Sequence, residues 1–101
     1  MKIVSWNVNG VRAIVKRDFF PDVSKMDPDI LCIQETKAQD DQVAEALKPL
    51  NGYNIYSNSA MRPGYSGTAV ATRIVPETVA RGIGIREHDG EGRVLCLEFA
   101  S

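Results

Sequence analysis

The apolar and polar positions of this chain fall into short blocks, and the sharpest is Asp29–Lys37, read Asp-Ile-Leu-Cys-Ile-Gln-Glu-Thr-Lys. Ile30–Ile33 is wholly apolar and follows the breaker Asp27-Pro28-Asp29, the pattern of a strand buried on both faces. Polarity then flips, and an amide, a carboxylate, a hydroxyl and an amine arrive together at the strand's C-terminal end. Lys2–Trp6 repeats the design, a nearly all-apolar strand leaving through the turn-prone Asn7-Val8-Asn9-Gly10. Two strands that end this way set polar groups on the rim of one sheet, where α/β folds commonly build their sites.

Elsewhere the period changes. Val11–Arg17 reads as a helix, and Phe19, Phe20, Val23 and Met26 continue an apolar stripe at helical spacing, which is core. Asp40-Asp41 open another helix with acids placed against its N-terminal dipole. Val43, Leu47 and Leu50 supply its buried face and Asn51-Gly52 ends it. Strands follow at Tyr53–Ser57, Gly67–Arg73, more weakly at Thr78–Gly82, and at Arg93–Phe99. Asn58–Ser66 is a polar loop around Pro63-Gly64, and the glycine-rich stretch from Gly82 to Gly92 is expected to be loop. The order β-α-β-α followed by strands argues for an α/β layered fold continued by hairpins. The sequence stops two residues after a strand with no element to cover the last sheet, so the chain is expected to be truncated.

Composition narrows this only a little. A chain of 101 residues, 44% hydrophobic and 25% charged, is an ordinary single globular domain with a modest core. A net charge of -1 excludes a globally basic nucleic-acid binder, but the charge is uneven. Lys2, Arg12, Lys16 and Arg17 stand against Asp18 alone in the first twenty residues, while residues 21–45 are strongly acidic, so a local basic face remains open. Cys32 and Cys96 each sit in an apolar strand-like run and are expected as buried free thiols, which suits a reducing, cytoplasmic setting. No signal peptide is expected, because Met1-Lys2 leads straight into a strand; no apolar run approaches membrane length, and no membrane partner is expected.

Asn7 and Glu35 sit just past the ends of two strands expected to be neighbours. One carboxylate plus one amide suits a hard, oxygen-liking cation such as Mg²⁺, which leaves open positions for phosphate. Polar residues at strand ends are also common with no such role.

Three stretches in order, Ile3-Val4-Ser5-Trp6-Asn7-Val8-Asn9-Gly10-Val11-Arg12-Ala13, Gln34-Glu35-Thr36-Lys37 and Gly64-Tyr65-Ser66-Gly67-Thr68-Ala69, resemble the exonuclease III family. These are the abasic-site endonucleases of base-excision repair, within the endonuclease/exonuclease/phosphatase superfamily. The resemblance implies the N-terminal half of a DNase I-like, four-layer α/β sandwich. It implies that Glu35 holds the catalytic Mg²⁺ (or Mn²⁺), that Asn7 helps organise metal and scissile phosphate, and that Lys37 steadies Glu35. Arg12, Ala13 and Arg17 match positions lining the DNA backbone, and Gly64 and Tyr65 match a loop that grips the strand. Arg93, in Glu91-Gly92-Arg93, either reaches a phosphate or makes a strand-edge ion pair. Asn9 stands where some members place an aspartate near the metal, so a direct charge contribution there is not expected.

The family's later tyrosine, its aspartate-x-asparagine pair and its aspartate-histidine pair have no counterpart in the chain. His88-Asp89 has the reverse order inside a glycine-rich loop and reads as surface. The implied activity is Mg²⁺-dependent cleavage of duplex DNA at abasic sites, with 3′-end exonuclease action, by a protein completed by a missing C-terminal half. Arg12, Lys16 and Arg17 read on their own as a solvated helix face. A phosphoinositide or sphingomyelin phosphodiesterase shares the Asn and Gln-Glu signatures, and a non-catalytic half-domain that binds DNA or a complementing half is the remaining alternative.

Overall fold

The computed structural model describes residues 1–100. Its elements run β1 (Ile3–Asn7), α1 (Val11–Ile14), α2 (Phe19–Met26), β2 (Ile30–Gln34), α3 (Asp40–Ala46), β3 (Asn54–Asn58), β4 (Thr68–Thr72), β5 (Thr78–Arg81), α4 (Arg86–Asp89) and β6 (Leu95–Glu98). Four strands form one sheet in the order β1-β2-β4-β3, and β5 and β6 pair as a separate two-stranded sheet. β1 and β2 are parallel, in a register that sets Asn7 opposite Gln34. A parallel pair needs a crossover, and α1 and α2 supply it. β4 runs antiparallel between β2 and β3. This is a mixed α/β fold, as the periodicity implied.

Strand alternation divides the large sheet. Val4, Trp6, Leu31, Ile33, Ile55, Ala69 and Ala71 face the helices and pack with Val11, Phe19, Val23, Val43 and Leu47. The Trp6 and Phe19 rings stack at 5.2 Å in that core. The other face carries Ile3, Ser5, Asn7, Cys32 and Gln34 in register, and it is only partly covered. The Ile30–Ile33 strand is therefore not buried on both faces throughout, because Cys32 is half-buried while Ile30, Leu31 and Ile33 are buried. Cys96 departs further from expectation: it is exposed on β6, whose residues alternate half-buried and exposed.

Three elements differ from the periodic reading, each for a local reason. The helix expected over Val11–Arg17 stops at Ile14, and the chain tightens into three-residue turns with Lys16 N–H on Ala13 C=O and Arg17 N–H on Ile14 C=O. Helix α3 ends at Ala46 and not at Asn51-Gly52, because Pro49 lacks an N–H to continue the ladder. The glycine-rich stretch contains the short helix α4, and Asp89 is not a free surface acid. Its carboxylate accepts the Ile83 and Gly84 N–H groups at 2.9 and 3.1 Å, closing the loop.

The sheet end opposite the Asn7 rim is held by charge. Arg73 pairs with Asp27, lies 3.7 Å from Asp29 and stacks 5.0 Å from the Tyr53 ring centre. The Arg73 hydrogen bond, and then its charge, hold the Asp27 carboxyl below its ordinary value. Asp40 is lowered as well: its partial burial pushes upward, but hydrogen bonds from Ser57 and Ser59 outweigh it. A carboxylate with a depressed folded-state pKa contributes stability above its unfolded value, and that stability is lost as pH falls through the folded one. The melting temperature is therefore expected to fall as pH drops below about 4. Asp27→Asn should flatten that acid limb by lowering the melting temperature modestly at neutral pH, while wild type and variant converge in acid, where the carboxylate is protonated. An unaltered limb in the variant would remove the Asp27–Arg73 pair from the account.

Candidate functional site

The site begins where parallel β1 and β2 end side by side. Gln34 does not point to chemistry, since its amide donates to Ser5 Oγ at 2.8 Å and locks the two strands in register. Beyond it the β2 chain leaves the sheet through a left-handed residue, Glu35 (φ 54°), and Lys37 (φ 51°) repeats the conformation. Asn9 (φ 49°) does the same after β1 and Ser66 (φ 51°) before β4. Among the described residues, four of the five non-glycine residues with positive φ thus gather at one rim, with Asp27 the exception. Such residues cost on the order of 1–3 kcal/mol each and persist where surroundings over-determine them, which marks functional rims.

The side chains form a relay. Asn7 Nδ2 donates to Glu35 Oε2, Asn7 Oδ1 accepts the Asn9 N–H at 3.0 Å, and Asn9 Oδ1 accepts Lys37 Nζ at 2.5 Å. The ammonium of Lys37 is therefore on Asn9 and reaches Glu35 through Asn9 and Asn7. Asn9 contributes as the hinge of this relay and not as a charge. Among the described residues no cation pairs with Glu35, a half-buried residue whose carboxylate accepts a side-chain hydrogen bond from Asn7 on Oε2.

That arrangement is what a divalent cation would need. One uncompensated carboxylate offers a hard oxygen, the neighbouring amide holds it still, and the remaining positions stay open for water and phosphate. No group of three or more His, Cys, Asp or Glu side chains converges among the described residues, so the fit is to an open site resting on Glu35 and not to a closed protein cage. Asn7 as placed orients Glu35 and has already committed Oδ1 to a backbone N–H.

Beside the rim runs a groove of about 460 Å³ lined by Gly10, Arg12, Ala13, Lys16, Lys37 and Gly64. A second depression of about 360 Å³ adjoins it at Ala13, lined by Val8, Asn9, Ala13, Ile14 and Arg17. Among the described residues no acid lines either one. Arg12 is anchored rather than free-swinging, with its guanidinium donating to the Lys37 carbonyl at 3.0 Å. Lys16 enters this groove although sequence spacing gave it only a solvated helix face. Tyr65 lies outside the groove lining, in a cluster with Arg93 and Arg62. Arg93 donates to Tyr65 Oη at 2.8 Å and pairs with Glu91 at 3.1 Å in the turn that precedes β6. Those two hydrogen bonds hold the Arg93 guanidinium pKa above its already high ordinary value. Arg62 sits 5.6 Å over the same ring and carried no motif signal.

A sequence profile described as the endonuclease/exonuclease/phosphatase family matches residues 4–100. The chain is 52% identical over 100 residues to an exodeoxyribonuclease of Bacillus subtilis, covering 98% of this chain and 38% of that protein. It superposes on an AP endonuclease from Archaeoglobus fulgidus with TM-score 0.81 and 31% identity, covering 99% of this chain and 37% of the other. It also superposes on a 3′ phosphatase, NExo, from Neisseria bound to product DNA hairpin, with TM-score 0.79 and 31% identity over 96% of this chain and 37% of that one. The chain therefore spans well under half the length of each of these three proteins. Among its described residues no helix is long and apolar enough to cross a membrane.

Proposed function

The chain belongs to the endonuclease/exonuclease/phosphatase family, and from that premise we propose that it supplies the metal-holding carboxylate and part of the DNA-backbone surface of a DNA-repair phosphodiesterase. The substrate proposed is duplex DNA with abasic sites, with trimming of 3′ ends as a related activity, and the metal proposed is Mg²⁺, for which Mn²⁺ can substitute. The observation that carries the reading is the juxtaposition of an uncompensated, amide-held Glu35 with an acid-free groove bearing Arg12, Lys16 and Lys37.

A divalent cation bound there would polarise the phosphate and lower the pKa of an attacking water. The chain's own residues do the positioning. Asn7 fixes the rotamer of Glu35, Lys37 and Asn9 fix Asn7, and Arg12 and Lys16 present donors to phosphate oxygens. Such contacts hold a duplex without reading its sequence, as a repair enzyme acting at any abasic site requires. The activities on DNA for which these relatives are named support this branch over a phosphoinositide or sphingomyelin phosphodiesterase.

A chimera in which this chain replaces the matching 100 residues of the Bacillus exodeoxyribonuclease provides a molecule of the relatives' length for the test. Binding of an abasic duplex in Ca²⁺ is measured against salt concentration for the chimera and for its Arg12→Ala, Lys16→Ala and Arg17→Ala versions. Each lost phosphate contact is expected to lower the magnitude of the salt slope by about 1, with no change in sequence preference. Slopes that stay put in all three variants would leave the basic helix face solvated and the reading without its DNA surface.

A further inference from the structure

Thr36, between Glu35 and Lys37, is fully buried, and its Oγ1 has no hydrogen-bond partner among the described residues. A buried hydroxyl left unsatisfied costs on the order of 1–3 kcal/mol, so its presence at a strained rim calls for a reason. Its backbone is clamped from two sides. On one, Gly10 N–H donates to Glu35 C=O at 2.8 Å and Val11 N–H to Thr36 C=O at 2.9 Å. On the other, Thr36 N–H donates to Gly67 C=O at 3.1 Å and Lys37 N–H to Ser66 C=O at 2.8 Å. The side chain then fills the space above Gly67, where any Cβ would collide with Thr36 Oγ1; Gly67 is also at φ 87°, a conformation side chains rarely adopt. Threonine and glycine here are a size-matched pair joining the loop before β4 to the exit of β2.

We infer that Thr36 is a positioning residue for the rim: its buried side chain, wedged against Gly67, fixes the direction of Glu35 relative to the Gly64–Gly67 loop. The contribution is the shape of the side chain and not its hydroxyl. The alternative geometry is easy to picture, since Glu35 reaches its left-handed φ only while both sets of backbone bonds hold it. Removing the wedge lets the two sides slip, and the carboxylate loses its fixed direction. The inference rests on the reading of Glu35 as the metal-holding group.

The test uses the chain itself. Mn²⁺ is titrated into wild type, Thr36→Val, Thr36→Ala and Glu35→Gln, with water-proton relaxation as the readout and circular dichroism to show that each remains folded. Thr36→Val keeps the shape without the hydroxyl and is expected to keep the wild-type affinity. Thr36→Ala is expected to weaken Mn²⁺ binding about 10- to 100-fold, the usual effect of losing a group that orients a metal ligand. Amide exchange is followed in parallel: Thr36→Ala should speed exchange at Lys37 on the loop side and at Gly10 on the strand side, and Thr36→Val should speed neither. Affinity and exchange in Thr36→Ala equal to wild type would overturn the proposal, as would Thr36→Val behaving like Thr36→Ala. If Glu35→Gln binds Mn²⁺ as well as wild type, or wild type binds none, the metal reading of Glu35 fails on its own. The exchange pattern then decides the role of Thr36 alone.

Discussion

In the chimera, Glu35→Gln is expected to lower metal-supported cleavage of an abasic duplex by about 10³-fold or more. The substitution is isosteric, and the glutamine side-chain oxygen can still accept from Asn7 Nδ2, so the relay through Asn9 to Lys37 survives. What disappears is the one negative charge at the rim that no described cation neutralises. A Lewis-acid metal supplies several kcal/mol of transition-state stabilisation, and each ~1.4 kcal/mol is tenfold in rate. Losing the group that holds it therefore costs several powers of ten. Folding should be nearly untouched, because Glu35 is only half-buried and its backbone bonds to Gly10 are made whatever the side chain. The measurement is single-turnover cleavage in saturating Mg²⁺ and again in Mn²⁺, with melting curves alongside. A variant that cleaves at the unmodified rate would take Glu35 out of the chemistry.

Much of this was legible in the residues, and what was not has identifiable causes. The strand ends and their polar exits were readable because an apolar run that flips abruptly to Gln-Glu-Thr-Lys leaves few other placements for those side chains. The grouping of Asn7, Asn9, Glu35 and Lys37 followed from parallel pairing of β1 and β2. Who holds whom did not follow. Lys37 reaches Asn9 because both residues sit at positive φ, and backbone handedness at non-glycine residues leaves no periodic trace. Thr36 was passed over because a threonine beside a charged pair looks solvated, and its burial is set by a loop thirty residues later in the chain closing on it. Lys16 was underrated for the opposite reason: the groove it lines is made by Gly64 and Lys37 from other parts of the chain. Cys96 was misplaced because an apolar strand sequence does not state which of its faces a second layer covers.

The chain on its own, residues 1–101, is expected to cleave an abasic duplex at least about 10²- to 10⁴-fold more slowly than the chimera, that range being the usual worth of general acid–base help. The reason lies in what stands near Glu35. Among the described residues the rim offers one carboxylate, two asparagines and a lysine committed to Asn9. The carboxylate is the group proposed to hold the metal, and neither an amide nor an ammonium is a proton acceptor for an attacking water. The chain's single histidine, His88, is on α4, whose loop is tied to Ile83 and Gly84 through Asp89 and to Met61 through Gly90, so the geometry gives it no role at the rim. A metal held by Glu35 could polarise a phosphate, but stabilising the departing oxygen needs further donors, each typically worth a further ~10²–10³. The sheet adds a structural reason. Ile3 is 61% exposed on the same face as Ser5 and Asn7, so along β1 this partly covered face is open to water and solvent reaches the reacting groups. The test incubates the abasic duplex with the 101-residue chain, with the chimera, and with the Glu35→Gln version of each, in Mg²⁺ and in chelator. Expected are metal-dependent cleavage by the chimera and background rates from the chain. Metal-dependent turnover by the chain that approaches the chimera and is lost in its Glu35→Gln version would show that the rim residues suffice, and would sink the prediction.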